Sequence, residues 1–213
     1  LIGGTTSASD SAGALAIGRE AKAGGYATIA QGLNANASAA FSTAIGANSI
    51  ANKMETIAIV SRSEATGHRA IAIGSTFRQA EATVASGDNS IAMGAATNVS
   101  GANTTVIGSK NTPVDGKTLD ANGGIVTATK GTSITATNSS IIGMSNQIAV
   151  SSVTASNPKT AAALTDVQVQ GNNNTINRGR AYVFGSNNTI NTNDTNMELE
   201  SVVAVGRQNT VSG

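Results

Sequence analysis

Thr43-Ala44-Ile45-Gly46 is the stretch of sequence that decides the fold, because close copies of it recur along nearly the whole chain. The copies beside it are Ile29-Ala30-Gln31-Gly32, Ile57-Ala58-Ile59-Val60 and Ile71-Ala72-Ile73-Gly74, and they are spaced by 14 residues. A fixed short period indicates a repeat protein, in which each unit stacks on its neighbours to bury a continuous core. The chain is therefore predicted to be a stack of coils of 14 residues.

Eleven copies are recognisable, and the intervals that differ from 14 are 20, 21, 28 and 35 residues. The longer intervals predict insertions or degenerate coils. We divide the chain into regular repeats over residues 1–108, an insertion over 109–139, and continued repeats over 140–213. A hairpin is one expectation for the first insertion, which contains Pro113, and a small second insertion is expected near 193–200.

In seven of the eleven copies, the middle residue matches in size the residue seven positions later. Residues half a coil apart that share a size class are predicted to face each other across a thin core. Small residues form the early pairs, and large residues form the later ones. The predicted core residues are Ala16, Ala23, Ala30, Ala37, Ala44, Ala51, Ala58, Ala65, Ile141, Ile148, Val169, Ile176, Val183 and Ile190.

Glycine marks the turns, where its tolerance of positive φ is useful. One glycine closes most of the copies, and Gly25, Gly67, Gly87 and Gly101 mark the opposite turn. Val60 replaces a turn glycine, which requires either a turn without positive φ at this position or backbone strain.

Composition excludes several classes of protein. Only 2% of the 213 residues are aromatic, too few large side chains to fill a thick globular interior. The net charge of +1 without a basic stripe argues against nucleic-acid binding, and the absence of Cys excludes disulfides and thiolate metal sites. No apolar run reaches the length of a membrane-spanning helix. Without a signal peptide, the sequence is expected to be a piece of a longer protein.

If the middle residue of each copy faces the core, its neighbours point outwards, because side chains alternate along a strand. The outward neighbours form a largely apolar stripe, which a soluble monomer rarely exposes. We therefore predict that it lies against further copies of the chain. The opposite assignment, with the isoleucines inside, would weaken this prediction. The ladder assigned to the interface comprises Ile17, Gln31, Ile45, Ile59, Ile73, Met93, Ile107 and Gln170.

Units of the form Ser-[Ile/Val]-Ala-Ile-Gly, followed by x-x-[Ser/Ala/Asn]-x-[Ala/Ile], resemble the head repeats of trimeric autotransporter adhesins, the YadA-like head family. The resemblance implies an all-β, left-handed parallel β-roll that forms a homotrimer around a central axis. It also implies a cell-surface position, anchored in the bacterial outer membrane through a missing C-terminal part.

The same resemblance implies non-enzymatic, multivalent attachment of a Gram-negative bacterium to host extracellular matrix, host cells or other bacteria. From the charge pattern and the lack of a long apolar run, we expect no nucleic-acid partner and no membrane contact by this part of the chain. In the family, a motif like Asn-Ser-Val-Ala-Ile-Gly has been linked to collagen binding. The nearest match consists of Asn89, Ser90, Ile91, Ala92, Met93 and Gly94.

Two other functions remain open at this point. The segment could be a rigid spacer of a surface fibre, with the binding site elsewhere. It could also be a hexapeptide-type acyltransferase with His68 as general base, although coils of 18 residues do not match this period. We expect no metal or other cofactor, because Asp is sparse and neutral amides are weak ligands for hard cations. Instead, asparagines are predicted to hydrogen-bond along the rod: Asn111, Asn146, Asn174, Asn188 and Asn209.

Overall fold

The computed structural model describes residues 5–6, 12–74, 82–109, 118–119, 125–126, 139–144, 146–148, 166–176, 180–191 and 201–212. These residues contain no helix that could cross a membrane. They form 24 strands: β1 Thr5–Thr6, β2 Leu15–Ile17, β3 Lys22–Ala23, β4 Ile29–Gln31, β5 Asn36–Ala37, β6 Thr43–Ile45, β7 Ile50–Ala51, β8 Ile57–Ile59, β9 Glu64–Ala65, β10 Ile71–Ile73, β11 Val84–Ala85, β12 Ile91–Met93, β13 Asn98–Val99, β14 Thr105–Ile107, β15 Thr118–Leu119, β16 Ile125–Val126, β17 Ser140–Ile142, β18 Gln147–Ile148, β19 Gln168–Gln170, β20 Thr175–Ile176, β21 Arg180–Ser186, β22 Thr189–Asn191, β23 Ser201–Arg207 and β24 Thr210–Ser212.

Each regular coil contains a three-residue strand, a turn, a two-residue strand and a second turn. The three-residue strands and their longer C-terminal counterparts make one eleven-stranded parallel sheet, which we call the first sheet. The return strands make a seven-stranded and a four-stranded parallel sheet, together called the second sheet. Equivalent residues of successive coils pair directly, so that Ala44 lies opposite Ala30 and Ala58. The predicted all-β parallel roll is confirmed, whereas its left-handedness and trimeric state stay predictions.

The core lies between the two sheets and is one small side chain thick on each side in the N-terminal coils. Ala44 and Ala51, half a coil apart, are both fully buried, as are Val183 and Ile190 in a C-terminal coil. Ala16, near the N-terminal end of the stack, is only partly buried against this cluster. The isoleucines that flank the alanines lie outside the coil, which contradicts the inverted assignment of faces.

The turn after the first strand adapts to the thickness of the core. In an alanine coil, Ser49 donates its hydroxyl to the Gly46 carbonyl of its own turn at 2.9 Å. Further along, Thr97 donates to the Gly108 carbonyl of the next coil at 2.6 Å. Where the core pairs become Val and Ile, the same position holds asparagine. A wider coil leaves a larger corner to fill, and the asparagine amide fills it.

These asparagines form a hydrogen-bonded ladder at the corner. Asn174 Nδ2 donates to Asn146 Oδ1 at 3.0 Å and to the Gly185 carbonyl at 2.9 Å. Its own Oδ1 accepts from the backbone N–H of Asn188 at 3.1 Å and from Asn188 Nδ2 at 3.0 Å. Asn209 repeats the pattern on Asn188. Hydrogen bonding along the rod is confirmed for these four residues, while Asn111 lies outside the described residues.

Positive φ occurs at both turns, mostly at residues other than glycine. Residues such as Asn34, Phe41 and Asn48 have φ between 54° and 58°, in the left-handed region. By contrast, Gly25 and Gly67 do not have positive φ, so the expected reason for these glycines is wrong. The actual reason is space, because a Cβ on Gly25 would lie 2.5 Å from the Ala39 carbonyl carbon of the next coil.

Val60 has a positive φ, so of the two possibilities predicted from the sequence it shows backbone strain. Its φ is 85°, whereas the glycines at the equivalent position of the other coils have φ between 118° and 159°. A β-branched residue is rarely found at positive φ, because its Cβ meets its own backbone. The side chain is 42% exposed, so burial offsets little of this strain.

The insertions are described only in part. Within 109–139, β15 pairs antiparallel with β16, with Thr118 opposite Val126. The segment 193–200 lies outside the described residues. The division at 108 and 140 therefore stays a prediction.

The strain at Val60 leads to a prediction about stability. Val60→Gly should raise the free energy of unfolding by about 1 kcal/mol, because glycine adopts positive φ at little steric cost. Denaturant unfolding measures this difference. Gly46→Val is the matched control one coil earlier and should destabilise, since its Cβ would lie 2.5 Å from the Val60 carbonyl carbon. A less stable Val60→Gly variant would contradict the assignment of strain.

The asparagine ladder leads to a second prediction. Asn174→Ala removes four hydrogen bonds and leaves the buried N–H of Asn188 without its acceptor. We expect it to lower the free energy of unfolding by about 3 kcal/mol. The control Asn98→Ala, at an exposed position of the second sheet, should change it by less than about 0.5 kcal/mol. Equal effects in the two variants would rule out a structural role for the ladder.

Candidate functional site

Two ladders of side chains cover the outward face of the first sheet. The leading ladder consists of the residue directly before the core-facing middle residue of each repeat copy, and the trailing ladder of the residue directly after it. The backbone pairing aligns each ladder residue with its equivalent in the next coil. The trailing ladder comprises Ile17, Gln31, Ile45, Ile59, Ile73, Met93, Ile107, Ile142, Gln170, Phe184 and Val205.

The trailing ladder contains all eight residues assigned from the sequence to the interface. The structure adds three residues to it: Ile142, Phe184 and Val205, which are 44–69% exposed. The ladder is apolar at every position except Gln31 and Gln170. In a single chain, this face is therefore an uncovered apolar strip that runs the length of the stack.

A second surface follows the turn between each two-residue strand and the next coil. We call its exposed side chains the corner ridge: Tyr26, Phe41, Met54, Glu55, His68, Arg69, Asp88, Asn89 and Asn103. The backbone of the ridge is fixed by hydrogen bonds between successive coils. Phe41 donates its N–H to the Tyr26 carbonyl at 2.8 Å, and Asn89 donates to the His68 carbonyl at 2.7 Å.

The N-terminal part of the corner ridge is aromatic. Tyr26 and Phe41 meet edge to face, with ring centroids 5.5 Å apart and an angle of 77° between the planes. They are 50% and 52% exposed, and Met54 follows in the next coil at 48%. Phe41 has a φ of 58°, a backbone conformation that favours Gly, Asn or Asp. The equivalent residues of the neighbouring coils, Ala27 and Glu55, have the same conformation, so the turn imposes it and the distinctive feature of Phe41 is its exposed ring.

The adjoining part of the corner ridge is polar and internally hydrogen-bonded. The His68 N–H donates to Asp88 Oδ1 at 2.8 Å, and Arg69 Nε donates to Asn89 Oδ1 at 2.7 Å. Asn89 Nδ2 in turn donates to Asn103 Oδ1 at 3.0 Å. These bonds hold charged groups and side-chain amides in a line along the rod.

The motif at residues 89–94 spans both surfaces. Ser90 is buried and donates to the Gly87 carbonyl at 2.6 Å, and Ala92 is fully buried in the core. Gly94 closes the strand with a φ of 125°. Ile91 and Met93 belong to the two outward ladders. Only Asn89 lies on the corner ridge, so a ligand bound at the ridge would contact Asn89 and none of the other five residues.

His68 lies on the exposed ridge, and its imidazole makes no hydrogen bond to any residue that the structure describes. Within the same part of the chain, no three His, Cys, Asp or Glu side chains lie close enough to hold a metal ion. The chemistry that this site supports is surface contact through rings, amides and charges.

The family model described as "YadA head domain repeat" matches the sequence in two copies, over residues 23–49, 61–76 and 85–111. The chain carries YadA head domain repeats. Over these residues, about a third of the chain, it is similar to the head repeats of trimeric autotransporter adhesins. Heads of this family generally form homotrimers and bind host matrix, and the family is in general non-enzymatic and is anchored in the outer membrane. A comparison with curated proteins found no match.

The matched coils of this YadA-like head include most of the corner ridge, which the sequence analysis did not recognise as one surface. It singled out His68 and Asn89 separately. The signal that would have joined them is the 14-residue period, which places Phe41, Glu55 and Arg69 at the same corner of successive coils.

The aromatic part of the ridge leads to a prediction that tests whether the Phe41 ring stabilises the fold or is available for binding. Phe41→Asn in the YadA-like head should leave the free energy of unfolding within about 1 kcal/mol of the original, because relief at positive φ offsets the lost ring contact. Phe41→Ala, which loses the ring without this relief, should be less stable than Phe41→Asn. A loss of more than about 2 kcal/mol in Phe41→Asn would show that the ring pair stabilises the fold.

Proposed function

We propose that this chain is the head of a cell-surface adhesin, through which a Gram-negative bacterium attaches to host matrix, host cells or other bacteria. The head is a homotrimer anchored in the outer membrane by a further part of the protein. Its activity is binding rather than catalysis. The proposal rests on the family of the repeats together with the division of the surface into an apolar face and a polar and aromatic ridge.

The apolar face supports the trimer. Nine of the eleven trailing-ladder residues are apolar, and only Gln31 and Gln170 interrupt the strip that they form. Burying a side chain of this size is worth roughly 1.5–3 kcal/mol. A contiguous apolar strip of this kind marks a site of association in soluble proteins. Covering it with the same strip of two further copies leaves the corner ridge and the outward face of the second sheet available to other partners.

The corner ridge is the single feature that carries the binding proposal. Its aromatic rings provide contact area with little loss of side-chain entropy. Arg69, Asp88 and Asn89 provide hydrogen-bonding groups on the same line, and coil-to-coil hydrogen bonds fix the backbone. A rigid array of this kind repeats three times in a trimer. Multivalent attachment then raises the overall affinity without a tight single site.

The competing function is that of a rigid spacer, in which the rod only holds a binding domain away from the membrane. A spacer needs the core and the apolar face but has no use for the exposed rings of Tyr26 and Phe41. The left-handed conformation is common to this turn, as at Glu55 and Arg69, so the feature of Phe41 that distinguishes the two functions is its exposed ring. This residue therefore favours the adhesin over the spacer.

Retention on a coated surface tests the proposed function. The isolated chain is coated and challenged with collagens, other matrix proteins, cultured host cells and bacteria. It should retain at least one of them. Combining Tyr26→Ser, Phe41→Asn and Asn89→Ala should reduce that retention about tenfold or more, which corresponds to about 1.4 kcal/mol.

The matched control combines Asn36→Ala with Asn98→Ala, both on the outward face of the second sheet, and should retain the partner as well as the original chain. Unchanged retention by the ridge variant would contradict the assignment of the ridge. Failure of the original chain across the whole panel would instead favour the spacer.

A further inference from the structure

The regularity of the coils creates a problem for assembly that two residues of the trailing ladder can solve. Successive coils are separated by roughly 4.8 Å. If one copy slid along its neighbour by one coil, most isoleucines of the trailing ladder would again meet large apolar residues. Apolar contact is non-directional, so the repeating part of the interface distinguishes poorly between aligned and shifted copies.

Gln31 and Gln170 are the two exceptions on this ladder. Gln31 lies between Ile17 and Ile45, and Gln170 lies between Ile142 and Phe184. Both side chains are exposed in the single chain. Neither amide has a hydrogen-bond partner among the residues that the structure describes. An interface that covers the ladder must provide partners for both amides.

We infer that Gln31 and Gln170 fix the axial alignment of the three copies. The inference rests on the proposed trimer. When the copies are aligned, each glutamine meets the same glutamine of its neighbours, and side-chain amides can donate and accept hydrogen bonds mutually. When the copies are shifted, a glutamine faces an apolar side chain and loses water without gaining a partner, which is unfavourable. A single buried polar residue specifies register in coiled coils by the same physical means.

The positions of the two glutamines exclude every short shift. They occupy the second and ninth of the eleven rungs of the trailing ladder. A shift of one to six coils leaves Gln31 of one copy and Gln170 of its neighbour opposite apolar residues. Only a shift of seven coils brings Gln31 opposite Gln170, and just four rungs then overlap. Two polar residues, widely separated, are sufficient to select one alignment.

Disulfide trapping measures the alignment directly, because the chain has no Cys of its own. A chain with Ile59→Cys is co-expressed with a mass-tagged chain that carries Ile73→Cys, one rung further along the ladder. Disulfides require Cβ atoms about 3.5–4.5 Å apart, so aligned copies favour bonds within a rung. The readout is the ratio of adjacent-rung disulfides (59–73) to same-rung disulfides (59–59 and 73–73).

The ratio should be low with both glutamines present and should rise about tenfold or more when Gln31→Ile and Gln170→Ile are combined. Each single replacement should give a smaller rise, which provides the test if the double variant does not fold. As a control, Asn98→Val removes a side-chain amide from the second sheet and should leave the disulfide ratio unchanged. An unchanged ratio in both the double and the single variants would overturn the inference.

Sedimentation of the chain without reporters separates this inference from the proposed trimer. A trimer that keeps its alignment without the glutamines overturns only the role of Gln31 and Gln170. A stable monomer of 21.0 kDa would overturn the association itself, and with it the register inference.

Discussion

The backbone stacking of one coil on the next is the constraint on which the rest of the structure depends. Each strand of the first and second sheets pairs with its equivalent in the neighbouring coils, so that within the stack a strand side chain lies between the equivalent side chains of adjacent coils. A residue type is acceptable only if it can stack in this way. Alanine stacks in the core, asparagine stacks at the corner through its amide, and glycine remains where a Cβ would meet the next coil, as at Gly25.

The same constraint determines where recognition can occur. A core between two short strands has no room for aromatic rings, and the rings of Tyr26 and Phe41 lie on the corner ridge instead. There they occupy fixed positions, because the turn backbone is hydrogen-bonded from coil to coil. A repeat scaffold of this kind presents side chains in register along a line, which suits partners that are recognised by an extended array rather than by a pocket.

The sequence predicts the repeat, the parallel roll and the identity of the core residues, because these depend on period and size, as in Ala44 and Ala51. It does not reveal the left-handed conformation of Phe41 or Glu55, since nothing in those residue types favours it. The contact between Tyr26 and Phe41 also depends on stacking geometry rather than on local pattern. The ladder positions of Ile142, Phe184 and Val205 follow from the same alternation as Ile45, although the insertions separate them from the regular repeats.

The central claim is that the first sheet faces other copies of the chain while the second sheet faces solvent. Methyl nuclear Overhauser effects in a sample mixed from isotope-labelled and unlabelled chains measure this most directly. Intermolecular contacts should be observed for the methyl groups of Ile45 and Ile59, and none for Ile50 on the outward face of the second sheet. Intermolecular contacts from Ile50, or their absence from Ile45 and Ile59, would contradict this arrangement.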